Sequence, residues 1–135
     1  NEQYAVKLAD LWQSRGKRDY ELDDIMLLKV GRHVRPRPHF KLIIGREEGE
    51  NKFLEGYKNR YTAFRALSHT GPLALLDGIA DEDDLRLAAR LVARYGKGKN
   101  SDQVRVEIFG RGAAPRTLEV CPLSEDEMRG EWYLG

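Results

Sequence analysis

The stretch DEDDLRLAARLVARYGKGKNSDQVRVEIF, residues 81–109, contains the clearest helix in the chain, followed by a clear strand. Asp81 and the acids that follow it are typical of a helix start, because acidic side chains cap free backbone N–H groups and complement the helix dipole. Apolar residues then recur at helical spacing as far as Tyr95, and Gly96 ends the pattern. The sequence therefore predicts a helix over residues 81–96.

The segment QVRVEIF, residues 103–109, predicts a strand with one buried face, because apolar and charged residues alternate along it. Val104, Val106 and Ile108 are expected to face the core, and Arg105 and Glu107 to face away. Residues 116–120, RTLEV, alternate again. The GRGAAP segment between the two, residues 110–115, is predicted to be a loop that closes a hairpin.

Helices and strands also alternate in the rest of the chain. We predict helices over 3–14 and 47–57 and strands over 40–44, 61–67 and 72–76. Residues 23–30 are a second short helix candidate, although the period of their dense apolar set leaves helix and strand open. Pro36 and Pro38 exclude a helix in residues 33–40 and favour an extended edge or a loop. The predicted fold class is α+β: a mostly antiparallel β-sheet with helices packed on it, and two short N-terminal helices.

Composition indicates one soluble globular domain. The chain has 135 residues, of which 41% are hydrophobic and 33% charged, which excludes disordered and fibrous classes. The single cysteine, Cys121, rules out an intrachain disulfide and fits a reducing compartment, so we expect a cytoplasmic protein and a cysteine buried in a strand. No apolar stretch approaches the length of a membrane span. Because the chain starts at Asn1, we expect it to be part of a larger protein.

The sequence shows no set of catalytic or metal-binding residues. It has no Gly-rich phosphate loop, no HExxH and no CxxC pair, and its three histidines lack metal-ligand spacing with Cys121. Ser68 and His69 are adjacent, so on a strand they would point to opposite faces and form a poor nucleophile–base pair unless they lie in a turn. We therefore predict no catalytic residue, no metal and no cofactor in this chain.

Two basic tracts stand out. Residues 25–45 contain no acid, and Arg46 follows them. In the second tract, three arginines recur every fourth residue on one face of the predicted 81–96 helix. The cations of the first tract are Lys29, Arg32, Arg35, Arg37 and Lys41, and those of the second are Arg86, Arg90, Arg94, Lys97 and Lys99. For either tract alone a solvated surface is the alternative to phosphate contact, but two tracts without a catalytic set favour binding to RNA or DNA phosphates. Lys7 and Lys58 lie outside both tracts and are chosen as controls.

Three segments resemble the NFACT-R RNA-binding domain. KLIIGREEGENKFL (41–54) is similar to its "VGRN…N…L" segment, ARLVARYGKGKNSDQVRVEIF (89–109) to its "AA…A..YSK…KV.V.Y" segment, and SHTGPLALL (68–76) to a degenerate "pGSHvvl" strand. The chain departs from the family at Glu47, where Asn is usual. AFRAL (63–67) replaces a "WLHA" element, and 71–75 lacks a Ser-His pair, so roles of those groups do not carry over.

The resemblance implies an RNA-binding accessory domain. DIMLLKVGRHVRPRPHFKL (24–42) looks like a bacterial subgroup in which the domain follows an ATP-pyrophosphatase-type adenylating domain, at the C-terminus of a tRNA thiouridine synthase. The implied domains are a helical linker segment over 1–30 and an NFACT-R-like domain over 31–135. The implied partners are tRNA or another structured RNA and the N-terminal ATP-dependent catalytic domain of the parent, with no membrane.

The predicted RNA-binding residues combine the resemblance with the two tracts. They are Arg32, Arg35, Arg37, Lys41, Arg46, Asn51, Arg94, Lys97 and Lys99. We expect no activity in this chain alone, since any sulfur transfer to tRNA would belong to the parent protein. Two alternatives stay open: a protein-interaction module that docks on a catalytic domain or a ribosome-associated partner, and a small enzyme whose site the sequence does not reveal.

Overall fold

The computed structural model describes residues 2–15 and 22–135. Four helices and one seven-stranded sheet make up most of this part of the chain. The helices are α1 (Glu2–Arg15), α2 (Leu22–Leu27), α3 (Glu48–Glu55) and α4 (Glu82–Arg94). The strands are β1 (Arg32–Arg37), β2 (Phe40–Ile44), β3 (Thr62–Ala66), β4 (Leu73–Gly78), β5 (Val104–Gly110), β6 (Ala113–Val120) and β7 (Tyr133–Leu134). No helix in the described ranges is both long and apolar enough to cross a membrane.

The sheet has the strand order β6-β5-β3-β4-β2-β1-β7. Every neighbouring pair is antiparallel. This confirms the predicted α+β class with a mostly antiparallel sheet and two helices near the N-terminus. The segment 23–30, which the sequence leaves open between helix and strand, contains most of α2, and the segment with Pro36 and Pro38 contributes most of strand β1.

Helices cover both faces of the sheet. On one face, α4 packs Ala88 and Val92 against Leu42 and Val106 in the larger core. On the other face, a smaller core joins α2 and α3 to the sheet through residues that include Leu27, Ile43, Leu54 and Leu75. Strand β2 is consequently buried along its whole length. Burial of apolar area at about 25 cal/mol per Å² is the main force that holds these layers together.

The start of α4 follows from its sequence. Asp81 accepts a hydrogen bond from the Asp84 backbone N–H at 2.8 Å, and Asp84 accepts one from the Asp81 N–H at 3.0 Å. This reciprocal capping box satisfies two backbone donors that have no partner inside the helix. The acids of this segment therefore cap a helix, as predicted.

Strand β5 confirms its predicted alternation, since Val104, Val106 and Ile108 are buried while Arg105 is exposed. The loop predicted over 110–115 is wrong in its second half. Arg111 and Gly112 make a two-residue turn with φ values of 55° and 73°, so β6 begins at Ala113. Positive φ at both positions matches the twist of paired strands, which is why so short a connection closes the hairpin.

Two further differences concern the C-terminal part of the chain. Cys121 is exposed rather than buried in a strand, because β6 ends at Val120. After it, short 3₁₀ helices at Glu125–Glu127 and Gly130–Trp132 lead to β7, which pairs with β1. We predicted no element here. The sequence predicts that Gly16 ends the first helix, and that residue lies outside the described ones.

Candidate nucleic-acid interface

A cleft of about 660 Å³ lies at one end of the sheet, where β2 ends and β4 begins. Four stretches of chain meet there. They are Gly45 and Arg46 with Asn51, the Thr70–Pro72 segment, the Arg94–Lys99 segment and the C-terminal residues Glu125, Met128 and Tyr133. Four cations line the cleft, and Glu125 is the single acid among its described lining residues.

Gly45 and Asn51 connect the turn that follows β2 to the start of β4. The Gly45 N–H donates to the Leu73 carbonyl at 2.9 Å, and the Leu73 N–H donates to Asn51 Oδ1 at 3.2 Å. A Cβ on Gly45 would lie only 2.0 Å from Asn51 Oδ1, so glycine is required for this contact. Within the described residues the Nδ2 of Asn51 has no hydrogen-bond partner, so its N–H donors are available to a ligand.

Arg46 is held at the rim of the cleft by Glu50. Its guanidinium donates to the Glu50 carboxylate at 2.8 Å and 3.1 Å, and the same carboxylate accepts the backbone N–H groups of Arg46 and Gly31. The hydrogen bond from Arg46 is the main reason that the pKa of Glu50 falls to about 2. The acidic segment after β2 therefore organises the turn and partly neutralises its arginine.

The YGKGK segment, residues 95–99, lies against the Thr70–Gly71 backbone. The Lys97 N–H donates to the Thr70 carbonyl at 2.7 Å, and a Cβ on Gly96 would lie 3.2 Å from Cα of Gly71. A Cβ on Gly98 would come within 2.7 Å of the His69 ring. The glycines thus permit a close approach that brings Lys97 and Lys99 to the cleft.

Aromatic side chains form one wall of the cleft. The Tyr95 hydroxyl donates to the Tyr133 hydroxyl at 2.9 Å, and the Arg32 guanidinium lies 4.9 Å from the centre of the Tyr95 ring. Burial, with the hydrogen bond to Tyr133, raises the pKa of Tyr95. Tyr133 keeps 40% of its surface exposed. This wall depends on the pairing of β7 with β1, which the sequence did not reveal.

The structure brings six of the predicted RNA-binding residues to this region. Arg46, Asn51, Arg94, Lys97 and Lys99 line the cleft, and Arg32 stacks on Tyr95 at its edge. Their contact with RNA remains a prediction. The other three residues, Arg35, Arg37 and Lys41, lie elsewhere.

Arg35 and Lys41 face α1 on the far side of the sheet. Arg35 donates two hydrogen bonds of 2.8 Å to the Asp10 carboxylate. Lys41 is 1% exposed, with Nζ 3.9 Å from Asp10, and burial lowers its pKa. These cations fasten α1 to the sheet.

Arg37 lies beside the first turn of α4, at the end of that helix away from the cleft. It donates to Asp84 Oδ1 at 2.6 Å, and His39 Nε2 lies 2.8 Å from Asp84 Oδ2. Burial alone would raise the pKa of Asp84. The hydrogen bonds from the Asp81 N–H, Arg37 and His39 outweigh it and hold that pKa at about 2.

The two lysines chosen as controls differ in position. Lys7 lines a cavity of about 450 Å³ together with Lys29 and Arg46, and burial and the Arg46 charge lower its pKa. Lys7 is therefore not independent of the cleft, because it shares a cavity and a repulsive charge interaction with the cleft residue Arg46. Lys58 accepts the Arg111 N–H on its carbonyl, next to the β5–β6 turn at the opposite end of the sheet. It remains a sound control.

Ser68 and His69 form a hydrogen-bonded turn after β3. Ser68 Oγ lies 2.8 Å from His69 Nδ1, and Ser101 Oγ lies 3.1 Å from His69 Nε2. The Ser68 hydroxyl oxygen also accepts the Arg105 N–H at 2.9 Å. Both ring nitrogens of His69 and the Ser68 hydroxyl are therefore within hydrogen bonds, and these residues support the loop at Gly98, which packs on the His69 ring. Within residues 2–15 and 22–135, no group of three or more His, Cys, Asp or Glu residues could hold a metal ion.

A family model described as the NFACT protein RNA binding domain matches residues 31–133. The chain belongs to this family. The fold of this chain is similar to a solved structure, the C-terminal region of the fibronectin/fibrinogen-binding protein from Streptococcus suis, with a TM-score of 0.61 and 17% sequence identity. That likeness covers 93% of this chain and 63% of the solved chain, and it shows the fold alone. The comparison with curated proteins gives no match.

Proposed function

We propose that this NFACT domain holds RNA by its phosphate backbone at the cleft. One observation carries the proposal: Arg46 and the three cations Arg94, Lys97 and Lys99 come from two separate stretches of chain and line one cavity. Cations gathered in a cleft focus the electrostatic potential and attract a polyanion. The family's RNA-binding description supports the same conclusion.

The cleft cations are available to a ligand. Within the described residues, no carboxylate forms an ion pair with Arg94, Lys97 or Lys99. Arg46 is paired with Glu50 at 2.8 Å, but its side chain is 51% exposed, so a phosphate can reach it. Arginine and lysine side chains that contact phosphates position the RNA without reading its sequence.

We further propose that the RNA is tRNA and that the chain serves a thiouridine-forming enzyme in the cytoplasm. The resemblance of residues 24–42 to the subgroup fused to such enzymes supports this narrower proposal. In that arrangement the domain presents tRNA, while the ATP-dependent sulfur transfer takes place in another part of the parent protein. A pulldown of cellular RNA with the tagged chain, followed by sequencing, should enrich tRNA over ribosomal and messenger RNA.

A salt titration tests the RNA-binding proposal. Each phosphate contact that is lost should reduce the slope of log affinity against log salt by about one. The double variant Lys97→Ala/Lys99→Ala should therefore bind several unrelated tRNAs more weakly, by a similar factor for each, with a slope smaller by up to about two. Lys58→Ala is the matched control, since it removes an exposed lysine at the opposite end of the sheet.

If Lys58→Ala weakens binding as much as the double variant, attraction is diffuse and the cleft is not the binding surface. If neither variant changes the affinity or the slope, the chain does not hold RNA in this way. A protein partner docked on the same face would then be the better account.

A further inference from the structure

The cleft carries more apolar surface than phosphate binding needs. Behind its cationic rim lie Pro72, Met128 and the ring of Tyr133, and Tyr133 is 40% exposed. Phosphates are fully charged groups that gain nothing from contact with such surface. An exposed aromatic ring in a positively charged groove is the arrangement on which unstacked bases rest in single-stranded nucleic acid complexes.

The polar groups inside the cleft also suit a base rather than a phosphate. Asn51 accepts the Leu73 N–H on its Oδ1 and offers the N–H donors of its Nδ2, which have no partner within the described residues. Glu125 offers a carboxylate that accepts hydrogen bonds, and it would repel a phosphate. A nucleobase edge carries acceptors and N–H donors together, so it can use both side chains.

A paired base cannot reach these groups. In an RNA duplex the bases are stacked, and side chains reach mainly 2′-hydroxyls and phosphates across the shallow minor groove. The volume of about 660 Å³ lies within the range of pockets that enclose small ligands. A base that reaches these groups has to be unpaired.

We infer that the cleft takes an unpaired nucleotide, with its base against Tyr133 and Met128 and its flanking phosphates on Lys97, Lys99 and Arg46. This inference rests on the proposed RNA binding and narrows it to single-stranded ends, loops or bulges. The cations set the overall affinity, and the aromatic wall sets the preference for an unpaired base.

The test compares two RNA hairpins of identical stem, one blunt and one with a 3′ overhang of four adenosines, by fluorescence anisotropy with a label in the loop. The wild-type chain should bind the overhang hairpin about tenfold tighter, since stacking one base on an aromatic ring strengthens binding by roughly fivefold to a hundredfold. Tyr133→Ala should lose this preference. Tyr133→Phe should retain it, because the ring is unchanged.

A crosslink on the wild-type chain gives a second measurement that does not depend on how Tyr133→Ala folds. A 4-thiouridine in the overhang should crosslink to peptides that contain Met128 or Tyr133, and one placed in the stem should not. Equal affinity for the two hairpins, equal behaviour of the two Tyr133 variants, or crosslinks confined to other peptides would overturn the inference.

Failure of the inference is separable from failure of the proposed function. If both hairpins bind equally and Lys97→Ala/Lys99→Ala still weakens both, the RNA-binding proposal stands and the unpaired nucleotide is refuted. If neither hairpin binds in a salt-dependent way, both ideas are refuted.

Discussion

The two basic tracts of this chain look alike in sequence and differ in the folded protein. In the first, Arg35 and Arg37 meet the carboxylates of Asp10 and Asp84 at 2.8 Å and 2.6 Å, and Lys41 is buried. In the second, Lys97 and Lys99 reach an open cleft. We call Arg35, Arg37 and Lys41 the locked cations, and Arg94, Lys97 and Lys99 the open cations.

The difference shows that a count of cations does not measure the charge a surface offers. The carboxylates that lock the first tract lie far away in sequence, on α1 and at the start of α4. A cation that is paired with a carboxylate in the folded protein has little charge left for a ligand, and removing one partner destabilises the fold because the other charge is left unpaired. The following predictions use this division between stability and binding.

Asp84→Asn should give the largest effect, a loss of about 2 kcal/mol in the free energy of unfolding. The buried carboxylate accepts hydrogen bonds from Arg37, His39 and the Asp81 N–H, and an amide of the same shape loses the charge that strengthens them. Urea unfolding at pH 7 measures the loss. Asp83→Asn, at the exposed neighbouring position, should change little. Equal losses would mean that the helix dipole, and not the locked pair, is responsible.

The difference in stability between wild type and Asp84→Asn should also depend on pH. The pKa of Asp84 is about 2, below its ordinary value of 3.8, so its stabilising effect is present above about pH 4 and is lost as the pH falls towards 2. The difference in unfolding free energy between wild type and Asp84→Asn should therefore narrow over that interval. A difference that stays constant down to pH 2 would contradict the assignment.

Arg35→Ala should lower the free energy of unfolding by about 1 kcal/mol and leave RNA affinity unchanged within about twofold. The reason is that the Arg35 guanidinium is paired with the Asp10 carboxylate, on the α1 side of the sheet and away from the cleft. Thermal unfolding and RNA anisotropy on the same sample measure both quantities. Lys58→Ala should alter neither. A tenfold loss of RNA affinity in Arg35→Ala would abolish the distinction between locked and open cations.

Glu50→Gln should give the smallest effect, a gain in RNA affinity of about threefold at low salt. Arg46 stands between the two classes, because it lies on the cleft but pairs with Glu50 at 2.8 Å. Removing that charge frees Arg46 for a phosphate. Glu48→Gln changes the net charge equally at an exposed position of the same helix, so it is the control. Equal gains in both variants would indicate a general charge effect.

Local patterns were sufficient to predict most elements. The acids at 81–84 predict a capped helix, and the alternation in 104–108 predicts a strand with one buried face. Both features depend only on residues that are a few positions apart in the sequence, so they can be predicted from the sequence alone. The two basic tracts and the family resemblance were sufficient to predict the cleft residues Arg46, Asn51, Lys97 and Lys99.

The remaining features depend on partners distant in sequence. Alternation along β2 places Lys41 opposite the core residues Leu42 and Phe40, and nothing nearby shows that α1 covers that side too. Residues 125–134 have no strong period, so β7 and the Tyr133 wall could not be foreseen. Such contacts are fixed by tertiary packing, which overrides local preference.

The cleft has a kinetic consequence. Its walls come from stretches around residues 45–51, 70–72, 94–99 and 125–133, and the central pairing of β3 with β5 joins residues some forty positions apart. Long-range strand pairing closes large loops and is slow compared with helix formation. During refolding, affinity for RNA should consequently emerge with the last phase of tertiary assembly, well after helical circular dichroism has recovered.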